Sequence, residues 1–314
     1  MTKLKGLRVF APATVGNVAC GYDVLGFAIN EPGDEVVVRE TEEFEGLRIM
    51  SIHGDPEHQL PYEINKNTAG VSAQMLLDEV GYNGPGIQMK LYKKMPFGTG
   101  LGSSSASAVA GVVAVNELLR RPFQKRELLK FAIAAEQVAD GAIHGDNVAP
   151  CLMGGMVLVR DAKLAEAHRI FLPGGLHAVV IYPEIQVLTK DARDILTASV
   201  TLEQHVQQSA NLASMIIGFS NSDLELVRRS MRDIIIEPQR AHLIPHFYDV
   251  QQAAFDHDAL GCSISGAGPA IFALFANSLL AEKAAVQMSK VYKSQKMKHK
   301  VYVSPINMTG AHLV

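Results

Sequence analysis

Between Met95 and Leu119 the chain reads MPFGTGLGSSSASAVAGVVAVNELL, which sets Gly98, Gly100 and Gly102 directly ahead of Ser103, Ser104 and Ser105. Closely spaced glycines let backbone N–H groups converge on one point, because no Cβ blocks the approach and positive φ is accessible. A helix beginning at the serines adds its unsatisfied N–H groups and the positive end of its dipole. These features suit a phosphate cradle. The serine hydroxyls can donate to phosphate oxygens or complete the shell of Mg²⁺, a hard cation that travels with nucleotide phosphates. A tight strand-to-helix turn capped by serines uses the same residue types. Other nucleotide motifs fit poorly: no Lys follows the glycines as in a Walker loop, and neither an H-R-D nor a D-F-G triplet occurs. For a dinucleotide site the Pro before the loop and the triple serine after it are wrong, and no series of β-α units follows.

Such a loop needs a strand in front and a helix behind. GIQMKLYKK alternates Ile87, Met89 and Leu91 as a half-buried strand that ends by Pro96. After the loop, apolar positions from Ala106 to Leu119 recur on one helical face, and KRELLKFAIAAEQVADG makes a second helix stopped by Gly141. Upstream, Asn67 can cap a helix through TAGVSAQMLLDEV that ends at Gly81. LRVFAPAT and DEVVVRE read as two strands joined by a polar, glycine-containing link, VGNVACGYDVLGFAINEPG. GDNVAPCLMGG reads as a loop or short helix before a strand at MVLVR. The charged, non-periodic stretch DAKLAEAHRIFLPGG suggests a border near residue 165, dividing the chain into domains 1–165 and 166–314. Beyond it come a strand at LHAVVIYP, three helical patterns between Thr189 and Ile236, and a fourth in HFYDVQQAAFDH. Strands LGCSIS and AIFALFA, helix SLLAEKAAVQMSKVY and strand HKVYVSPI follow. Strands and helices mix without strict alternation, which predicts two α+β sandwiches.

Composition narrows the partners. With 29 Lys and Arg against 32 Asp and Glu in 314 residues, the chain lacks the basic field that nucleic acids require. Cys20, Cys151 and Cys262 lie far apart, with no C-x-x-C pair, and read as reduced thiols. No apolar run reaches the roughly 18 residues of a membrane span, and no signal-peptide h-region opens the chain. A cytoplasmic protein is expected.

PFGTGLGSSSASA resembles the P-x-x-x-G-L-G-S-S-A-x-S signature of the GHMP small-molecule kinases. VFAPATVGNVACGYDVLG resembles the N-terminal motif of that superfamily, and SISGAGPAIFAL its C-terminal glycine motif, which in the family lies against the nucleotide loop. Within the superfamily, GNVACGYDVLGFAINEPGD, HGDNVAPCLMGG, TKDARDIL and IEPQRAHLIP are similar to segments of the homoserine kinases. The resemblance implies a GHMP kinase fold of two domains: an N-terminal nucleotide-binding α/β sandwich and a C-terminal ferredoxin-like α+β sandwich, with the site between them. It implies ATP with Mg²⁺, L-homoserine as the small-molecule substrate, a step of threonine biosynthesis, and a homodimer.

The same resemblance assigns residues. Pro96, Phe97, Gly98, Thr99, Gly100, Leu101, Gly102, Ser103, Ser104, Ser105 and Ala106, with Asn67, Gly266 and Gly268, would hold the nucleotide. Glu136 and Ser104 would hold Mg²⁺. Homoserine carries an ammonium, a carboxylate and a primary hydroxyl, each needing a partner in a desolvated pocket. Arg193 and Arg240 would take the carboxylate in bidentate fashion and Asp23 the ammonium. Asn17, His144 and Asn147 would orient polar groups, including the attacking hydroxyl. Thr189 can donate to the γ-phosphate or serve as a helix N-cap. Some GHMP relatives place a catalytic Asp near Asp146, but phosphoryl transfer asks mainly for alignment and charge neutralisation, so Asp146 is not assigned as a base. Ser105 stands where Ala is common, and Ala19 and Cys20 where a Gly-x-Gly run is typical. Replacing Gly100 by Val is expected to abolish nucleotide binding, with little effect on global folding if the turn itself can still form. Two alternatives stay open: a kinase of another small alcohol, of mevalonate type, for which Asp23 would meet no cation, and a nucleotide sensor without catalysis.

Overall fold

The computed structural model of the chain describes residues 6–140, 145–187 and 189–314. Seven strands form one sheet: β1 (Leu7–Val15), β2 (Leu25–Thr41), β3 (Leu47–His53), β4 (Gly86–Tyr92), β5 (Met156–Asp161), β6 (Glu166–Ile170) and, returning from the far end of the chain, a strand at His312–Leu313 that pairs with β1. β2 is central: its C-terminal half pairs with β1 and β4, and Leu25–Phe27 pair with β5. Four helices pack with this sheet: α1 (Thr68–Glu79), α2 (Ser103–Leu118), α3 (Leu129–Asp140) and α4 (Gly145–Met153).

The second sheet holds β7 (His177–Pro183), β8 (Gly261–Ile264), β9 (Ile271–Phe275) and β10 (His299–Pro305), all antiparallel in the order β10-β7-β9-β8. Between β7 and β8 run α5 (Thr189–Asp194), α6 (Leu202–Ser220), α7 (Leu224–Ser230), α8 (Glu237–Arg240) and α9 (Phe247–Phe255), while α10 (Ser278–Ser294) joins β9 to β10. After β10 the chain returns to the first sheet, where β11 (His312–Leu313) lies antiparallel beside β1. Taking α9 and α10 as the two covering helices, this is the β-α-β-β-α-β order of a ferredoxin-like fold, as expected.

β7 and β9 explain why the two halves adhere. Val179, Ile181, Ile271, Ala273 and Phe275 enter the core beneath α9 and α10, whereas Ala178, Val180, Tyr182, Phe272 and Leu274 join the core of the first sheet. Successive side chains point to opposite faces of a strand, so a strand buried on both faces reads as the unbroken apolar runs HAVVIYP and IFALF. Phe272 meets Phe27 edge to face across this junction, with ring centroids 5.7 Å apart.

Three differences from the sequence reading have physical reasons. First, α2 has no single apolar face: every residue from Ser105 to Asn116 is buried. Small Ala, Val and Gly side chains let it sit inside the layers, and a Cβ at Gly111 would overlap the Ala69 carbonyl of α1. Second, much of the expected polar link is strand. β2 begins at Leu25 because Leu25, Phe27, Ala28 and Ile29 are all fully buried among the flanking glycines. Third, the 162–165 turn joins β5 to β6 within the first sheet, and the chain crosses to the second sheet over residues 171–176.

Candidate active site

α1 and α2 start side by side, and their caps shape one wall of a cleft of about 440 Å³. Asn67 caps α1, its Oδ1 accepting from the Ala69 and Gly70 amides, and its Nδ2 donates to the Pro61 carbonyl. α2 is different. Its N-cap is Gly102 in the left-handed region (φ 69°), with no side-chain cap, and a Cβ there would overlap Thr14 Oγ1. Thr14 in turn donates to Asn147 Oδ1 at 2.8 Å, which joins the loop to α4.

The loop leans on the β8–β9 turn. Gly100 (φ 79°) lies so close to Ser265 that a Cβ would overlap the Ser265 carbonyl oxygen, while Ser265 Oγ donates to the Gly100 carbonyl at 2.6 Å. The Ala270 amide donates to the Thr99 carbonyl and the Gly266 amide to the Gly16 carbonyl. The C-terminal glycine motif therefore buttresses the glycine-serine loop. Gly266 and Gly268 line the cleft with Pro96 to Ser105 and Asn67. Ala106 does not; it is fully buried in the core.

At the head of α2, Ser104 Oγ donates to Glu136 Oε1 at 2.6 Å and Ser105 Oγ to Glu136 Oε2 at 2.7 Å. Glu136, on α3, is 4% exposed yet opens into the cleft. A buried carboxylate beside two hydroxyls at a helix N-terminus that lines the cleft is a hard oxygen donor set, which fits an ion that takes one or two protein ligands and completes its shell with phosphate and water. No cluster of three or more His, Cys, Asp and Glu side chains exists among the described residues, so no all-protein metal cage competes with it there.

At the other end of the cleft, the turn 17–23 faces α5 and α8. Asn17 has φ 57°, and three contacts fix it: its amide donates to Asp146 Oδ2, its Nδ2 to the Gly266 carbonyl, and its Oδ1 accepts from the Asp23 amide, each at 2.8 Å. Arg193 Nη2 contacts both oxygens of Asp23, at 3.0 and 3.1 Å, with each side chain about one-third exposed. Arg240 is 3% exposed. It donates to the Ala192 and Gly266 carbonyls and to Tyr22 Oη, and stacks over the Tyr22 ring at 5.1 Å. Burial lowers the Arg240 pKa without discharging a guanidinium, and burial followed by the Asp23 charge raises that of Tyr22.

The structure thus brings Asn17, Asp23, Asn147, Arg193 and Arg240 to one cleft with the loop, Asn67, Glu136 and the two C-terminal glycines. His144 and the Thr189 side chain lie outside the described residues, although the Thr189 backbone opens α5. One group was missed. Lys93 and Asp34, 7% and 1% exposed, form a buried ion pair beneath the loop. Lys93 also donates to the Ser103 carbonyl at 2.8 Å and to Ser107 Oγ at 2.6 Å, and Ser103 Oγ donates to Asp34 at 2.9 Å. A lysine at the end of an apolar strand beside a loop with phosphate chemistry was the available signal, but its partner lies 59 residues away.

Comparisons with known proteins find relatives along the whole chain. Residues 67–155 match the family model for the GHMP kinases N terminal domain, and residues 215–294 that for the GHMP kinases C terminal. The chain is 41% identical to a homoserine kinase of Chlorobium phaeobacteroides (strain BS1), over 99% of this chain and 100% of the relative. It is 38% identical to one of Xylella fastidiosa (strain M12), over 98% and 94%. A crystal structure of homoserine kinase from Cytophaga hutchinsonii superposes with a TM-score of 0.96 at 46% identity, covering 100% of this chain and 99% of that one.

Proposed function

We infer the reaction from the premise that this chain belongs to the homoserine kinases, a family of GHMP kinases. It is an ATP-dependent small-molecule kinase acting on an alcohol group. The substrate is L-homoserine, whose side-chain hydroxyl attacks the γ-phosphorus of ATP to give O-phospho-L-homoserine and ADP, a step toward threonine. The observation that carries this reading is the joining of two different chemistries in one cleft: a glycine-serine loop at a helix head, and a set of opposite charges at Asp23, Arg193 and Arg240.

In this reading the loop residues, Asn67, Gly266 and Gly268 hold the nucleotide. Glu136 and Ser104 hold Mg²⁺, which when bound neutralises charge on the phosphates. Arg240 and Arg193 take the carboxylate and Asp23 the ammonium, while Asn17, His144 and Asn147 orient the polar atoms and Thr189 would donate its hydroxyl to the γ-phosphate. Asp146 acts through Asn17, whose amide it accepts, so the hydroxyl is aligned rather than deprotonated by a strong base.

Three further parts belong to the same proposal. The domains divide at the 171–176 link between the sheets, after the 165/166 border of the sequence reading. A homodimer is supported by exposed Leu202, Val206 and Ile217 along α6. A cytoplasmic location fits three free, buried thiols, and no helix of the described residues is long and apolar enough to cross a membrane. The deciding experiment is a coupled assay of ADP release with L-homoserine, L-serine, L-threonine and mevalonate. Release with L-homoserine is expected; release with mevalonate alone, or with none, overturns the assignment.

A further inference from the structure

We propose that Asp23 and Arg193 act as mutual stand-ins for the two charged ends of the substrate, so that a ligand must bring both charges to open the pair. The inference rests on the reading above. The Asp23 carboxylate occupies the Arg193 guanidinium much as a substrate carboxylate would, through two contacts at 3.0 and 3.1 Å. Conversely, Arg193 presents to Asp23 the positive charge that a substrate ammonium would supply. The pair spans 170 residues and ties α5 to the 17–23 turn.

The surroundings hold this arrangement in place. Asp23 has φ 58°, and its amide donates to Asn17 Oδ1, so the turn sets where the carboxylate stands. Arg240 is already engaged by two carbonyls and Tyr22 Oη, and it offers a buried cation beside the pair that need not move. A zwitterion entering between Asp23 and Arg193 exchanges one ion pair for two. A ligand with one charge breaks the same pair and leaves its second member facing water. A carboxylate without an ammonium is therefore opposed twice, by competition for Arg193 and by the Asp23 charge. This makes the pair a specificity device against one-ended alcohols.

Two truncated ligands test it: 4-hydroxybutanoate, which lacks the ammonium, and 3-aminopropan-1-ol, which lacks the carboxylate. Asp23→Asn and Arg193→Gln are the variants, and Asn tolerates the positive φ of position 23. Asp23→Asn should weaken L-homoserine binding by about tenfold or more and tighten 4-hydroxybutanoate about two- to fivefold, the range of a partly exposed pair. Arg193→Gln should do the reverse, tightening 3-aminopropan-1-ol. Direct titration of binding reads both. Because like-charge repulsion alone could tighten the one-ended ligands, unliganded melting temperatures of the single and double variants supply a second readout. They should be non-additive by about 1–3 °C. Additive melting temperatures, or one-ended ligands that weaken with L-homoserine in both variants, overturn the proposal. Failure of the wild-type protein to bind L-homoserine at all would instead overturn the substrate assignment, and this proposal with it.

Discussion

Ser104 and Ser105 divide one buried carboxylate between them, each hydroxyl taking a different oxygen of Glu136 at 2.6 and 2.7 Å. The relationship ties the first turn of α2 to α3, and it places a negative charge where a nucleotide phosphate and its metal would meet the helix. Glu136→Gln keeps an acceptor and the side-chain volume, and a serine hydroxyl can rotate to accept from the new amide, so the fold should survive. Lost charge stabilisation should cut kcat by about 10²- to 10³-fold and raise the Mg²⁺ concentration needed for half-maximal rate. A steady-state assay across a Mg²⁺ titration, with a melting curve for each protein, checks both; near-normal turnover would remove Glu136 from the metal site.

Gly100 has a structural duty of its own. At φ 79°, with a Cβ overlapping the Ser265 carbonyl, Gly100→Val strains the backbone and pushes the loop off the β8–β9 turn. The condition on which this change would spare folding, that the turn can still form, is therefore not met, and a loss of about 2 kcal/mol or more of stability is predicted. Gly98 offers the cleaner probe. Its Cβ would meet the Gln186 side chain at 3.1 Å, which can yield, so Gly98→Ala should cost about 1 kcal/mol for its positive φ while raising KM for ATP. Denaturant melts beside ATP kinetics separate the two effects.

How much of this was legible in the chain depended on whether a pattern was local. Asn67 was readable as the cap of α1 because an N-cap is a matter of a few adjacent residues, and the structure bears it out. The apolar runs of β7 and β9 were readable as strands, but their sharing between two cores was not, since that depends on what covers each face. β3 and β6 escaped notice because their alternation is broken, in β3 by the exposed apolar Met50 and a register shift between Ile49 and Ser51, and in β6 by the consecutive exposed His168 and Arg169. Asp23 and Arg193 were expected as partners of a ligand; their contact with each other needed the fold, as did the burial of Arg240.

Lys93 and Asp34 form the clearest case of chemistry hidden by sequence distance. Removing one member of a buried pair strands the other charge, so Lys93→Met should destabilise the protein by about 3–5 kcal/mol. Asp34 also accepts the Lys94 and Met95 amides at 2.8 and 3.1 Å, so Asp34→Asn, which retains an acceptor, should be milder locally while still stranding Lys93. Since Lys93 holds the Ser103 carbonyl, whatever folded Lys93→Met protein remains should show a raised KM for ATP and an unaltered KM for L-homoserine. A urea melt and initial-rate kinetics at two substrate concentrations would show it; equal shifts in both KM values would deny Lys93 a place in positioning the loop.

Glu237 gives the protein a pH dependence of its own. It lies one turn before Arg240 on α8, accepts from Gln251 at 2.9 Å and faces Ser263, with the Asp233 charge nearby. Burial, reinforced by Asp233 and opposed by the two hydrogen bonds, pushes its pKa up from 4.5 to about 7. The folded state then holds a proton that the unfolded state has released between those two values. Stability from this group is complete below the unfolded pKa, declines as pH rises through the interval, and is lost above about 7. One fully linked proton corresponds to a slope of about 1.4 kcal/mol per pH unit. Glu237→Gln keeps an acceptor for Gln251 without the charge, so its stability should match that of the parent near pH 4 and exceed it at pH 8. Chemical denaturation of both proteins at half-unit steps of pH tests this directly, and parallel curves across the interval would mean that Glu237 is ionised at no cost to the fold.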